Sequence, residues 1–229
     1  MACLTSVADS PVRMVIDQTD LFAEVQDTAA QELAPAVVLL RRFVSTSPLI
    51  DLIEQVAVSA PFRHMRTPGG GRMSVAITNC GEMGWVSDAR GYRYAAMDPE
   101  SSQIWPPMPQ SFAALALQAA QVAGFGSFQP DCCLINRYVV GAQMGTHRDH
   151  DEKDMSHPIV SVSIGLPAVF VWYGATRAGP GVPMLLQDGD VIVFGREARK
   201  GFHAVRRLSP RVVGTTQGVR YNLTFRRAG

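Results

Sequence analysis

Cysteine is scarce and badly placed for cross-linking. Only four occur in 229 residues, Cys3, Cys80, Cys132 and Cys133. None forms a C-x-x-C pair, and adjacent Cys132 and Cys133 point to opposite faces of a strand, so zinc knuckles and disulfide frameworks are excluded. Reduced thiols in a cytoplasmic protein are the expectation. No apolar stretch approaches membrane-spanning length, and no basic segment leads into an apolar run near the N-terminus, so neither membrane insertion nor export is expected. There is little net charge. The formal value is +1, with 18% charged residues, which argues against a disordered chain and gives no compositional hint of nucleic acid. Internal repeats and low-complexity tracts are absent.

What is present is a chain able to bury a core, with 47% hydrophobic residues, long enough for one domain or one domain with a small lobe. Its charge is unevenly spread. Asp9, Asp17, Asp20, Glu24, Asp27 and Glu32 face Arg13 alone near the start, whereas arginines and Lys200 crowd residues 196–227. A basic C-terminal side suits an anionic ligand, or is simply a solvated surface. Residues 1–35 read as a loosely held acidic leader, with a nucleotide-facing lid and supporting helices over 36–130 and a β core over 131–229, forming one unit with 36–130.

Val37–Leu40 reads as a first strand. Ser47 and Pro48 suit a helix start, and Leu49, Ile50, Ile53 and Val56 recur at helical spacing up to about Ser59. Residues 67–71, Thr-Pro-Gly-Gly-Gly, make a turn, after which Met73, Val75 and Ile77 alternate as a half-buried strand. Residues 81–109 read as a long loop carrying Trp85, Tyr92, Tyr94 and Trp105. A second helix is expected from Gln110 to about Ala123, stopped by Gly124. Strands are then expected at 132–139, 159–164, 168–173, 183–187, 190–194, 202–207 and 219–226, with Asp188-Gly189 as a hairpin turn. The fold class is α+β, mostly β. A double-stranded β-helix, or jelly roll, with helices on one side fits this pattern.

The chemistry concentrates in that β region. His147 and Asp149 form an H-x-D pair, and His203 follows far downstream. Two imidazoles and one carboxylate can occupy one face of Fe(II) and leave the opposite face open, as in non-haem iron oxygenases; three ligands plus water also describe catalytic zinc in a hydrolase. The last strand helps to choose. Arg220, Asn222, Thr224 and Arg226 share one face, and two inward guanidiniums are costly unless an anion meets them. Six residues at about 3.3 Å each set the two arginine backbones roughly 20 Å apart. Two extended side chains then leave a gap suited to a five-carbon dicarboxylate held by bidentate forks, unless one arginine forms a salt bridge within the protein. Asn136 and Tyr138, two apart on another strand, could add hydrogen bonds.

Several segments together resemble the bacterial AlkB family. They are Thr67–Gly70, Met73–Ala76, Thr78–Gly81, Gly84–Trp85, Met108–Phe112, Cys133–Tyr138, the H-x-D-x-D-E run of His147–Glu152, Pro158–Ser163 and Arg220–Arg226, spread from about Asp20 to the C-terminus. The resemblance implies an Fe(II)- and 2-oxoglutarate-dependent dioxygenase that uses O2 to remove alkyl groups from damaged bases in DNA, with single strands preferred and RNA as an alternative. It places iron on His147, Asp149 and His203, and 2-oxoglutarate on Asn136, Arg137, Tyr138, Arg220, Asn222 and Arg226. It assigns Trp85 to stacking on a flipped base and Asp151 to its exocyclic amino group, with Thr67, Tyr92, Tyr94 and Arg177 near the substrate or its backbone. No protein partner is required, and a monomer is expected. Phe194 stands where the family pattern has tryptophan and His150 where it has lysine, neither expected to touch the metal set; Gln143–Thr146 also differs. The competing readings are an oxygenase acting on RNA, protein or a small molecule, and a non-catalytic cupin-like module or zinc hydrolase.

Overall fold

The computed structural model describes residues 30–209 and 218–229. Most of the expected acidic leader, Cys3 included, lies outside them. Two antiparallel sheets face each other. The larger contains β1 (Ala30–Ala34), β2 (Val37–Leu40), β3 (Ala76–Gly81), β6 (Cys132–Val139), β8 (Ile159–Gly165), β11 (Val191–Phe194) and β13 (Val219–Arg226), in the order β1-β2-β11-β8-β13-β6-β3. The smaller runs β10 (Val182–Leu186), β9 (Ala168–Gly174), β12 (Phe202–Val205) and β7 (Met144–His147). A separate ribbon pairs β4 (Gly84–Asp88) with β5 (Gly91–Ala95). This is the jelly-roll architecture that the strand spacing predicts.

Strict alternation in β13 explains the layering. Tyr221, Leu223 and Phe225 point to one side, where α1 (Ser47–Ser59) and α2 (Gln110–Val122) cover them with Leu49, Ile53, Val56, Phe112 and Leu115. Burying each such side chain contributes about 1.5–3 kcal/mol. Arg220, Asn222, Thr224 and Arg226 point the other way, into a cavity between the sheets. β6 behaves alike. Cys133 and Ile135 join the helix-side core, and Asn136 and Tyr138 reach the cavity.

Four expectations need correction. Ala30–Ala34, expected in the loose leader, form an edge strand paired with β2. The strand after the glycine turn lies at Ala76–Gly81 and is buried on both faces, because the helices cover one side and the cavity wall the other. The 81–109 segment is not all loop. Trp85 pairs directly with Tyr94 across the β4–β5 ribbon, and Trp105 packs beneath Gly84, where a Cβ would come within 2.3 Å of its ring. Finally, Asp188-Gly189 is no hairpin turn, since β10 and β11 belong to different sheets. Asp188 instead accepts the Gly165 N–H at 2.6 Å and the Thr46 hydroxyl at 2.8 Å, fastening the crossover. The helix α1 starts at Ser47, with Thr46 committed to that crossover rather than to a helix cap.

Candidate metal centre and anion clamp

β7 and β12 are neighbours, and their register sets His147 directly opposite His203. Asp149 follows just beyond the end of β7. The three residues offer donor atoms that all lie within 4.8 Å of one another. His147 Nε2 is 3.9 Å from Asp149 Oδ1, and His203 Nε2 is 3.7 Å from Asp149 Oδ2. The other ring nitrogens are engaged: Nδ1 of His147 lies 2.8 Å from the Gly145 carbonyl and Nδ1 of His203 lies 3.3 Å from that of Gly201. Donation to a carbonyl fixes the tautomer and leaves each Nε2 with a lone pair toward the centre. Rings steady His203 further, with Phe170 and Trp172 near-parallel to it at 5.5 and 6.2 Å. Gly201 permits this, since a Cβ there would sit 2.2 Å from the Trp172 ring.

The electrostatics suit a cation. Burial alone would raise the Asp149 carboxyl, but Arg226, with His203 and His147, outweighs it and holds the group well below the usual carboxylate range. Burial, aided by His147 and opposed by Asp149, pushes His203 down to about 3, so its imidazole is neutral at physiological pH. Two imidazoles and a carboxylate form a donor set fit for a divalent ion.

Beside this trio lies an open cavity lined by both sheets, with the trio, Trp85 and the polar face of β13 around it. Arg226 marks its metal end, with Nη2 3.0 Å from Asp149 Oδ1. The guanidinium of Arg220 is fixed elsewhere on the same wall, donating to Leu166 O at 3.1 Å and Ser163 Oγ at 2.8 Å. Burial lowers Arg220 to about 10, which leaves it cationic at neutral pH. Arg220 Nε and Arg226 Nε and Nη1 are buried and have no hydrogen-bond partner, Arg226 Nε meeting Glu152 Oε1 at 3.1 Å only as an ion pair. Unsatisfied donors on two guanidiniums of one cavity wall fit an anion with two acceptor ends. The salt-bridge alternative also holds in part, because Arg226 pairs with Asp149 and Glu152. Asn222 and Thr224 line the cavity with Asn136 and Tyr138. Asn136 Oδ1 is unpartnered too, and as an acceptor it needs a donor rather than a carboxylate.

Comparison with known proteins then decides the family. Residues 36–226 match the model of the 2OG-Fe(II) oxygenase superfamily. The alpha-ketoglutarate-dependent dioxygenase AlkB of Salmonella typhimurium is 49% identical over 211 residues, covering 91% of this chain and 97% of that protein. This chain belongs to the AlkB family of 2OG-Fe(II) oxygenases. Two more distant likenesses agree. The mouse nucleic acid dioxygenase ALKBH1 is 33% identical over 127 residues, 55% of this chain and 32% of that protein. A solved structure, that of OsALKBH1, superposes with a TM-score of 0.77 at 26% identity, covering 87% of this chain and all of that one. As a family member, this dioxygenase uses Fe(II), 2-oxoglutarate and O2.

The remaining sequence candidates divide. Trp85 lines the cavity and donates its indole N–H to Asp151 Oδ2 at 2.9 Å. Tyr92 stacks on Trp85 at 5.6 Å and 13°, so its ring backs the indole. Tyr94 turns inward and donates to Glu152 Oε1 at 2.8 Å. Burial raises its phenol well above the ordinary value, keeping it a donor. The Thr67 hydroxyl closes its own turn, accepting from Gly71 N at 3.1 Å, and Arg177 is exposed on the β9–β10 connection outside the cavity lining. Arg137 is a correction. One position off the inward face of β6, it lies over the Phe62 ring at 4.7 Å on the helix side and does not reach the cavity. Phe194 is another, because its ring meets His203 at 5.4 Å, edge to face, within the cavity lining. His150 is exposed, as expected away from the ligand face. The sequence reading gave no role to Glu152 or Arg199, which are both buried against the metal centre.

Proposed function

We propose that this dioxygenase removes alkyl groups from N-alkylated bases of the 1-methyladenine and 3-methylcytosine type in DNA, preferably single-stranded, within the cytoplasm and as a monomer. The carrying observation is Trp85, which lines the cavity and donates its indole N–H to Asp151. Alkylation of a ring nitrogen on the pairing edge makes adenine or cytosine cationic. An aromatic face then attracts the base, and a carboxylate beside that face favours the charged lesion over its neutral parent. Such a base pairs poorly, so extruding it from a helix costs less, and a single strand requires no opening at all. The name of the mouse relative, a nucleic acid dioxygenase, supports a nucleic-acid substrate.

In this reading His147, Asp149 and His203 would hold Fe(II). Arg220 would hold one carboxylate of 2-oxoglutarate and Arg226 the other, nearer the metal. When bound, iron and its co-substrate supply the oxidation of the N-alkyl carbon by O2, with succinate, CO2 and an aldehyde as products. The chain's own part is placement. Trp85 and Asp151 would orient the base, Tyr92 would support the indole, and the side chains of Phe170, Leu186, Phe194 and Val205 supply apolar lining to the cavity. Mass spectrometry of a single-stranded oligonucleotide carrying 1-methyladenine tests the proposal. The oligonucleotide loses one methylene in mass only when Fe(II), 2-oxoglutarate and air are all present. Succinate formation with an unaltered oligonucleotide would instead favour another substrate.

A further inference from the structure

Four charged side chains meet behind the metal trio, and only Asp149 and Arg226 have roles in the reading above. Glu152 and Arg199 complete the group, with side chains 1% and 3% exposed. The contacts form a chain. Arg199 Nη2 lies 3.0 Å from Glu152 Oε2, Arg226 Nε lies 3.1 Å from Glu152 Oε1, and Arg226 Nη2 lies 3.0 Å from Asp149 Oδ1. Two acids and two guanidiniums balance, so the cluster is neutral before any metal or dianion arrives.

We propose that Glu152 is a positioning residue for the metal centre: it shares Arg226 with Asp149 and so keeps that guanidinium from settling fully on the metal-facing carboxylate. Arg226 contacts two carboxylates at nearly equal distance, and they compete for it. Glu152 is anchored for the contest. Arg199 Nη2 sits 3.0 Å from its far oxygen as an ion pair without hydrogen-bond geometry, and Arg199 is itself fixed by donating Nη1 to Asp149 O and Nε to His157 O, each at 3.0 Å. Tyr94 donates to the near oxygen, so the ribbon that carries Trp85 hangs from the same carboxylate. Loss of the Glu152 charge leaves Asp149 as the remaining carboxylate beside Arg226. A carboxylate already neutralised by a guanidinium is a poorer ligand, and the cluster also gains a net positive charge. Both effects weaken a divalent cation, whereas the second favours a dianion.

The inference rests on the metal-site reading, and its test separates the two. Mn(II) is titrated into metal-free protein, with free Mn(II) followed by its electron paramagnetic resonance signal. 2-Oxoglutarate is then titrated by calorimetry at saturating Mn(II). For Glu152→Gln the expected result is a roughly tenfold or greater loss of Mn(II) affinity, with 2-oxoglutarate affinity retained or improved. Glu152→Asp keeps the charge on a shorter arm and should show the same signs with smaller changes; it also serves if the glutamine variant fails to fold. Parallel loss of both affinities would mean that Glu152 only braces the 149–157 loop, and no change in either would mean it does not act on Arg226. Each of those outcomes overturns the proposal. Failure of the underlying site reading looks different: Asp149→Ala would bind Mn(II) as the wild type does.

Discussion

At the scale of single residues, chemical identity rather than bulk decides what the site can do. Trp85 both presents an aromatic face and donates its N–H to Asp151. Trp85→Ala should therefore cut turnover of methylated oligonucleotide at least tenfold while leaving 2-oxoglutarate affinity within about twofold, since the stack alone is worth about 1–3 kcal/mol per base. Steady-state assays and calorimetry on one preparation check it; equal losses in both would remove the stacking role. Arg220 donates from two nitrogens of one planar fork, to Leu166 O and Ser163 Oγ, and leaves Nε free. Lysine can supply the charge without the fork, so Arg220→Lys should raise the KM for 2-oxoglutarate about tenfold or more. Much of this site was legible before folding. The i, i+2 rule on an extended strand places Arg220, Asn222, Thr224 and Arg226 on one wall with no knowledge of the partner sheet. The same rule should have removed Arg137, which lies between Asn136 and Tyr138 and so must face the helices. Glu152 was beyond reach, because its meaning comes from Arg199 and Arg226, which only the closed jelly roll brings to it.

At the scale of elements, the β4–β5 ribbon and its supporting loop carry Trp85, the ring proposed to meet the base. Gly84 lies against Trp105, whose indole N–H reaches Ala95 O at 2.9 Å. A methyl group at residue 84 would collide with that ring. Gly84→Ala should destabilise the protein by about 1–3 kcal/mol and lower oligonucleotide turnover more than it lowers Mn(II) affinity. The loop after β5 is held by Asp98, which accepts a fork from Arg63, the Glu100 N–H and the Ser101 hydroxyl. Burial alone would raise the Asp98 carboxyl, but Arg63 and these donors outweigh it and lower its pKa. A carboxyl with a folded pKa below its unfolded value of about 3.9 adds stability above that pH. The contribution is lost as pH falls through the lower folded value. Thermal melts of Asp98→Asn should thus lie below wild type at pH 7, with the gap narrowing as pH falls below about 3.9; an offset that stays constant through that fall would contradict the assignment. The ribbon itself was hard to read from sequence. Its strands are five residues each and mix polar and aromatic side chains, so no clean alternation separates them from a loop. The false hairpin at Asp188-Gly189 has a different cause, since turn chemistry specifies a reversal and not the sheet that receives the next strand.

At the scale of the whole molecule, the two sheets and the helix layer were foreseeable from seven short strands without intervening helices, and from helical spacing confined to residues before 124. The pairing order was not, because it is decided by long-range burial. β13 lies between β8 and β6 for that reason, its apolar face against the helices and its polar face in the cavity. The exposed surface carries a further consequence of the proposed function. Arg66, Arg72, Arg148 and Arg177 are all exposed, so affinity for a single strand should fall as salt rises. Removing an arginine that meets a phosphate should reduce the slope of log K against log salt by about 0.7, measured by fluorescence anisotropy.

The proposed function requires that His147, Asp149 and His203 hold iron beside a clamp for 2-oxoglutarate. Anaerobic addition of Fe(II) and 2-oxoglutarate, followed by visible spectroscopy, tests it most directly. A metal-to-ligand charge-transfer band should appear in the wild type only when both are present, and should vanish in Asp149→Ala. A band undiminished in that variant, or none in the wild type, would contradict the account.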